Sequence, residues 1–340
     1  MKRILTTTLT MLAATAVASF AAMTPAAAQV HRWDMPNEYA KASGHYYDEI
    51  FAEKLREATG GAIDITNHYG GALGYKSKDH WKVVEDGAAQ IASTYTGVFA
   101  GIDPIFLLVS MPFLARNIDE SRALYEAARP WYAAAFEKGN QMLVLAVPFP
   151  PVGIWARQPV TNLEELAQIR IRTYDKTSTV ALNAAGANAV QLSWADIIPA
   201  LTTGTIDSVL TAGEGGVLSS FYEHMDHFNA INYVAGTQMF HMNRDVFDSL
   251  SPELQETILE VADATEDEAW EAIKDRVDAS YVRMRDAEVT ILSESDMQDG
   301  FLASLREAST VVFNEWRDKM PAGAADEIMA NFSERLGAMN

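Results

Sequence analysis

No cysteine occurs among the 340 residues. Disulfides, thiol nucleophiles and cysteine-ligated metals are therefore excluded, and packing alone must hold the fold. Basic residues are scarce as well: 26 Lys and Arg stand against 46 Asp and Glu, a formal net charge of −20. Such a surface repels nucleic acid and anionic lipid, so no nucleic-acid partner is expected. An anionic small molecule is not excluded, because surface fields fade over about 8 Å at physiological salt while a cleft arginine acts at contact distance. Beyond residue 28 no apolar run is long enough for a membrane span, which needs about 20 residues. Catalytic patterns are missing too. The glycine-rich run Tyr-Gly-Gly-Ala-Leu-Gly at 69–74 lacks the lysine and serine or threonine of a phosphate-binding loop and reads as a turn. His224, Asp226 and His227 lack the glutamate of a His-Glu-x-x-His metal motif, and Ser219 and Ser220 lack a nucleophile elbow. Glu266 and Asp267 fall on a solvated helix face. These residues assemble no catalytic set, and neither a metal nor a cofactor is expected.

The opening residues carry an address. Lys2 and Arg3 precede an apolar, threonine-diluted run at 4–20, and Ala26-Ala27-Ala28 before Gln29 makes a small-residue cleavage site. This predicts a signal peptide over 1–28, cleaved after about Ala28, and export to a bacterial periplasm. An uncleaved membrane anchor is the alternative. Losing Lys2 and Arg3 takes the formal charge to −22. The remaining stretch is long enough for one large or two ordinary domains.

The stretch 167–210 organises the rest. Ile169 and Ile171 alternate with Arg170 and Arg172, a strand with one apolar face and one cationic face. A helix after Thr177 stops at Gly186, a strand follows at 190–192, Ser193 caps a helix bearing Trp194, and Gly204 ends it before a strand at 205–210. Strand, helix, strand, helix, strand is the signature of a parallel or mixed α/β sheet. Ligands in such sheets sit beyond the carboxyl ends of strands, where Arg172 stands. Residues 30–95 repeat the order, which predicts two lobes and a cleft. The Pro-Phe-Pro-Pro run at 148–151 is a stiff crossing and a hinge candidate. Further on, a helix is expected at 217–224 and strands at 229–234 and 238–242, the second returning the chain to the first lobe. Ser251-Pro252 opens a very long helix to about Arg285, without a sustained heptad, which suggests a helix laid across both lobes.

Five stretches then carry a resemblance: Met-Pro-Phe-Leu-Ala-Arg at 111–116, Arg-Gln-Pro-Val at 157–160, Ile-Arg-Ile-Arg at 169–172, Leu-Thr-Thr-Gly-Thr-Ile-Asp at 201–207, and Met-Asn-Arg-Asp-Val-Phe at 242–247 running into Leu250-Ser251-Pro252. In this order and spacing the chain resembles the periplasmic solute-binding proteins of tripartite ATP-independent periplasmic (TRAP) transporters. The resemblance implies an α/β, two-lobed periplasmic binding protein fold with mixed sheets, crossing strands and a long lobe-spanning helix. Lobe I would take 29–148 and about 238–277, and lobe II 149–237 and about 278–340. It implies a receptor rather than an enzyme, one that closes on a small organic carboxylate and passes it to a membrane permease. The family's carboxylate-binding arginine maps onto Arg172, with Arg170 in place of a lysine, and its cleft aromatic maps onto Trp194. Thr211 replaces the asparagine of sugar-acid members, and a second arginine is missing near Pro151 and Val152. A polyhydroxylated or doubly anionic ligand is disfavoured by both departures. A sensor's ligand-binding subunit would share these features, and an exported hydrolase is the remaining alternative.

Tyr95, Phe149, Trp155, Tyr75 and Phe240 are further candidate cleft aromatics, and Asn37 a candidate polar contact. More than Arg172 is needed. A bidentate charge-assisted contact contributes about 1.5 to 3 kcal/mol, and micromolar binding requires about 8. Burying an aromatic wall of about 200 Å² offers roughly 5 kcal/mol before association costs. An apolar or aromatic monocarboxylate would use both terms.

Overall fold

A computed structural model describes residues 30–39, 41 and 46–339 of the chain, so the expected signal peptide lies outside the described residues. The chain starts as a parallel pair, β1 (His31–Pro36) and β2 (Ile63–His68), with α1 (Tyr46–Ala58) as the crossover. Tyr47, Phe51 and Leu55 recur at helical spacing and are the buried face of α1. Next come α2 (His80–Glu85), β3 (Ile91–Tyr95), an apolar 3-10 helix at Pro104–Ser110, α3 (Ile118–Glu137) and β4 (Gln141–Pro148). Asn117 caps α3 by accepting the Glu120 N–H.

After the crossing at 149–151 the order is β5 (Val152–Ala156), α4 (Leu163–Gln168), β6 (Arg170–Thr173), α5 (Lys176–Ala184), β7 (Asn188–Gln191), α6 (Ile197–Thr202) and β8 (Ser208–Ala212). Then follow α7 (Gly213–Leu218), β9 (His227–Asn229), β10 (Thr237–Asn243), α8 (Arg244–Asp248), α9 (Pro252–Asp286), β11 (Thr290–Leu292), α10 (Phe301–Lys319) and α11 (Ala324–Met339). The expected helix at 217–224 instead begins at Gly213, and the strand expected from 229 ends there.

Two larger sheets organise these elements. One has the order β3-β10-β4 and is antiparallel; the other, mixed, has the order β11-β9-β5-β8-β6-β7. β10 returns from the second half and inserts centrally into the first, and all its residues are buried, as a strand covered on both faces must be. α9 spans both halves. Its Ile258, Ala262 and Ala269 pack with Phe51 and Phe240, whereas Met284 packs with Trp155 and Phe228. Phe301 and Leu305 of α10 join the core of the larger sheet, but Val312, Trp316, Ile328 and Phe332 join the cluster around Phe106 and Leu124. The last helices thus pack on α3 as well as on the second half. No helix among the described residues is long and apolar enough to cross a membrane.

Candidate functional site

β6 lies between β8 and β7, parallel to both, and its carboxyl end opens where the two halves meet. Its two arginines have different fates. Arg170 is exposed and spends its guanidinium on Asp207, with Nε and Nη2 both 2.9 Å from Oδ2. Arg172 is 2% exposed; its Nε donates to the Leu192 carbonyl at 2.9 Å, and its Cζ stands 5.7 Å from the centre of the Trp194 ring. Among the described residues no carboxylate lies within ion-pair distance of it. Burial pushes the Arg172 pKa down, and the nearby Tyr39, Glu38, Tyr174 and Asp175 oppose that. A buried cation without an anion in contact is costly, and an anionic ligand removes the cost.

Arg172 borders a cavity whose space, counted with the solvent open to it, is about 530 Å³. Aromatic rings form its walls: Tyr39 stands 5.3 Å from Trp194 and 6.3 Å from Phe149, and Tyr95 stands 5.6 Å from Phe149 and 5.2 Å from Tyr174. Trp194 is backed by Phe221, stacked at 5.6 Å. Thr211, at the end of β8, and Glu214, in the first turn of α7, complete the polar lining.

Several links cross between the halves beside the cavity, among them the buried ion pair of Glu214 with Arg276, Nη2 2.7 Å from Oε2. Glu38 accepts the Ser77 N–H at 2.8 Å through one oxygen and the Trp194 N–H at 3.1 Å through the other. Lys76 Nζ reaches Asp196 at 3.1 Å. Ser110 donates its hydroxyl to Asp175, the residue that also caps α5 by accepting the Ser178 N–H. Gly97 makes room for this link, since a Cβ there would fall 2.5 Å from both Asp175 and Ser110 oxygens.

Of the nine residues expected at a site, Arg172, Trp194, Thr211, Tyr95 and Phe149 line this cavity together. The other four do not. Trp155 is fully buried beneath it, with Nε1 donating to the Ala212 carbonyl and its ring against Phe221 and Phe228. Phe240 is fully buried on the central strand β10 against Phe51. Asn37 is spent within its own lobe: its amide donates to the Asp48 carboxylate at 2.6 Å and its oxygen accepts the Tyr39 N–H at 2.9 Å. Tyr75 sits half-buried in the glycine turn, outside the lining. Sequence reasoning missed Tyr39, Tyr174 and Glu214. Tyr174 was within reach, standing two residues past Arg172 at the same strand end, whereas nothing near Tyr39 or Glu214 in the chain marks them. His227 is bound to its neighbour Asp226 at 2.8 Å, and among the described residues no group of three or more metal-ligating side chains is placed to hold an ion.

The family model for bacterial extracellular solute-binding protein, family 7, matches residues 40–318. The ectoine/5-hydroxyectoine-binding periplasmic protein of Ruegeria pomeroyi is 24% identical over 339 residues, covering 95% of this chain and 91% of that protein. The ectoine-binding periplasmic protein of Halomonas elongata is 26% identical over 243 residues, covering 67% of this chain and 69% of that one. Among solved structures, a Bordetella pertussis extracytoplasmic solute receptor binding pyroglutamic acid superposes with a TM-score of 0.85 at 23% identity, covering 89% of this chain and 100% of that one. The two-lobed fold is that of the TRAP solute receptors, which bind rather than transform small carboxylates. With its family model spanning most of its length, the chain belongs to family 7 of the bacterial extracellular solute-binding proteins.

Proposed function

We propose that this receptor, exported to the periplasm after cleavage near Ala28, captures a small monocarboxylate on Arg172 and delivers it to a TRAP-type permease. The observation that carries the reading is the buried Arg172 guanidinium, without a carboxylate partner, at the edge of an aromatic-walled cavity. In this reading lobe I takes 29–148 and about 238–277, lobe II takes 149–237 and about 278–340 although the last helices also pack on α3, and the crossing at 148–151 is the hinge. The five surrounding rings favour a compact ligand with an apolar or aromatic body over a polyhydroxylated one. Ectoine and pyroglutamic acid, bound by two of the relatives, are each a single carboxylate on one small ring, whereas other relatives bind the sugar acids diketogulonate and glucuronate.

The test is mass spectrometry of the small molecule that copurifies, followed by calorimetry with it and with a panel of ring carboxylates including pyroglutamate, ectoine and benzoate. Arg172→Ala is expected to weaken binding of the acid by about tenfold to a hundredfold while the protein still melts cooperatively. Undiminished affinity in that variant would sink the assignment of Arg172.

A further inference from the structure

Three glycines stand among the six residues of α7, and the fold demands only two of them. A Cβ on Gly213 would fall 2.7 Å from Met284 Cε, and one on Gly216 would fall 2.3 Å from the Trp155 indole, so the core beneath the helix closes both positions to a side chain. Both are buried. Gly215 differs. Its backbone is ordinary right-handed helix, so no positive φ calls for glycine there. It is half-buried and lines the ligand cavity.

The surroundings of that position show which side the missing side chain would occupy. Beyond its chain neighbours and the backbone of α7, a Cβ on Gly215 would have two heavy atoms of the described residues within 4 Å, Trp194 Cη2 at 3.4 Å and Thr211 Oγ1 at 3.6 Å. Both are ordinary contacts, and both residues belong to the cavity wall and are themselves half-buried. Alanine would therefore fit the protein, and it is the better helix former. Neither backbone conformation nor core packing accounts for the glycine, which leaves the space in front of it. Trp194 connects that space to the carboxylate site, because Arg172 Cζ stands 5.7 Å from the centre of the same indole. A ligand held on Arg172 and lying along Trp194 runs toward Gly215.

We propose that Gly215 is a specificity-determining position: the body of the ligand lies against its bare Cα, between Trp194 and Thr211, so that a side chain there excludes a ring-bearing carboxylate and spares a shorter one. This rests on the reading that Arg172 holds the carboxylate. Benzoate, pyroglutamate and propanoate, titrated by calorimetry into the full mature chain and its Gly215→Ala and Arg172→Ala variants, test it beside urea unfolding. The native protein is expected to bind at least one of the two ring acids. Gly215→Ala should weaken that binding by at least about tenfold and unfold at the same or a higher urea midpoint. Propanoate, which has no ring to press on this position, should lose no more than about twofold. A merely structural glycine would show the opposite split, with a lower midpoint, as expected for Gly216→Ala. Ring-acid affinity that survives Gly215→Ala, an equal loss for propanoate, or a lowered midpoint or failure to fold overturns the proposal. If ring acids bind in an Arg172-dependent way and Gly215→Ala leaves them unaffected, only this inference falls. If Arg172→Ala binds them as tightly as the native protein, or if the native protein binds none of the three acids, the carboxylate reading falls and this inference with it.

Discussion

Arg170 and Arg172 are two residues apart on one strand and do opposite work because of what surrounds their ends. Arg170 reaches water and Asp207, so it contributes little to stability and nothing to the cavity. Arg172 is held in place by a carbonyl and an indole face, which leaves the rest of its fork for a planar anion. A second buried ionisable group shows the same logic in reverse. Burial pushes the Asp48 carboxyl up to about 7, against the pull of hydrogen bonds from Asn37 and Ser93. Because its folded pKa lies above its unfolded one, the protonated acid stabilises the fold fully below about pH 4, and this contribution is lost as the pH rises through about 7. His80, lowered to about 4 by burial, acts oppositely: its contribution is present above the ordinary histidine range and is lost as the pH falls through 4. Asp48→Asn isolates the first effect. Plotted against pH, the stability difference between native protein and variant should decline by about 3 to 4 kcal/mol between pH 4 and 8, measured by urea unfolding. A flat difference would show that Asp48 is ionised in the fold at all these pH values.

Helix α7 runs through Gly213, Gly215 and Gly216, residues that oppose helix formation by about 1 kcal/mol each. Tertiary packing overrides propensity here. A Cβ on Gly216 would lie 2.3 Å from atoms of the Trp155 indole, so the helix can lie on that ring only if the residue has no side chain. The same packing presents Glu214 and Gly215 to the cavity and buries Trp155 below it. Gly216→Ala is expected to cost about 1 to 3 kcal/mol by overpacking, read as a lower urea midpoint. An unchanged midpoint would mean that the indole shifts freely.

Of the cross-lobe links at the cavity, the Glu214–Arg276 pair is buried and the others are weaker. Lys76 and Asp196 are about half exposed, at 45% and 52%, so their pairing is weak, and the Glu38 and Ser110 links are single hydrogen bonds. On the proposed hinge reading, ligand adds to these links in the closed form and shifts the population towards it. Small-angle scattering should show a smaller radius of gyration with saturating ligand than without. Superimposable profiles would indicate a cleft that stays shut or a ligand that enters without closure.

Much of this could be read from residues close together in the chain. Asn117, Asn162, Asp175, Asn243 and Ser251 each cap a helix within three residues, the buried face of α1 repeats at helical spacing, and Arg172 announces itself at a strand end. Such features depend on hydrogen bonds and periodicities that span a turn or two, so neighbouring residues determine them. Convergence of side chains does not work that way. Trp194 is expected at the cleft from the resemblance and Trp155 as a further candidate, and the order β5-β8-β6 with the glycine helix above Trp155 buries the second and leaves the first in the cavity wall. Tyr39 meets Trp194 across 155 residues of chain, and Glu214 meets Arg276 across 62. Which residues face one another at such separations follows from how strands far apart in sequence pair, and above all from β10 crossing back between β3 and β4, so the tertiary structure alone decided the walls of this cavity.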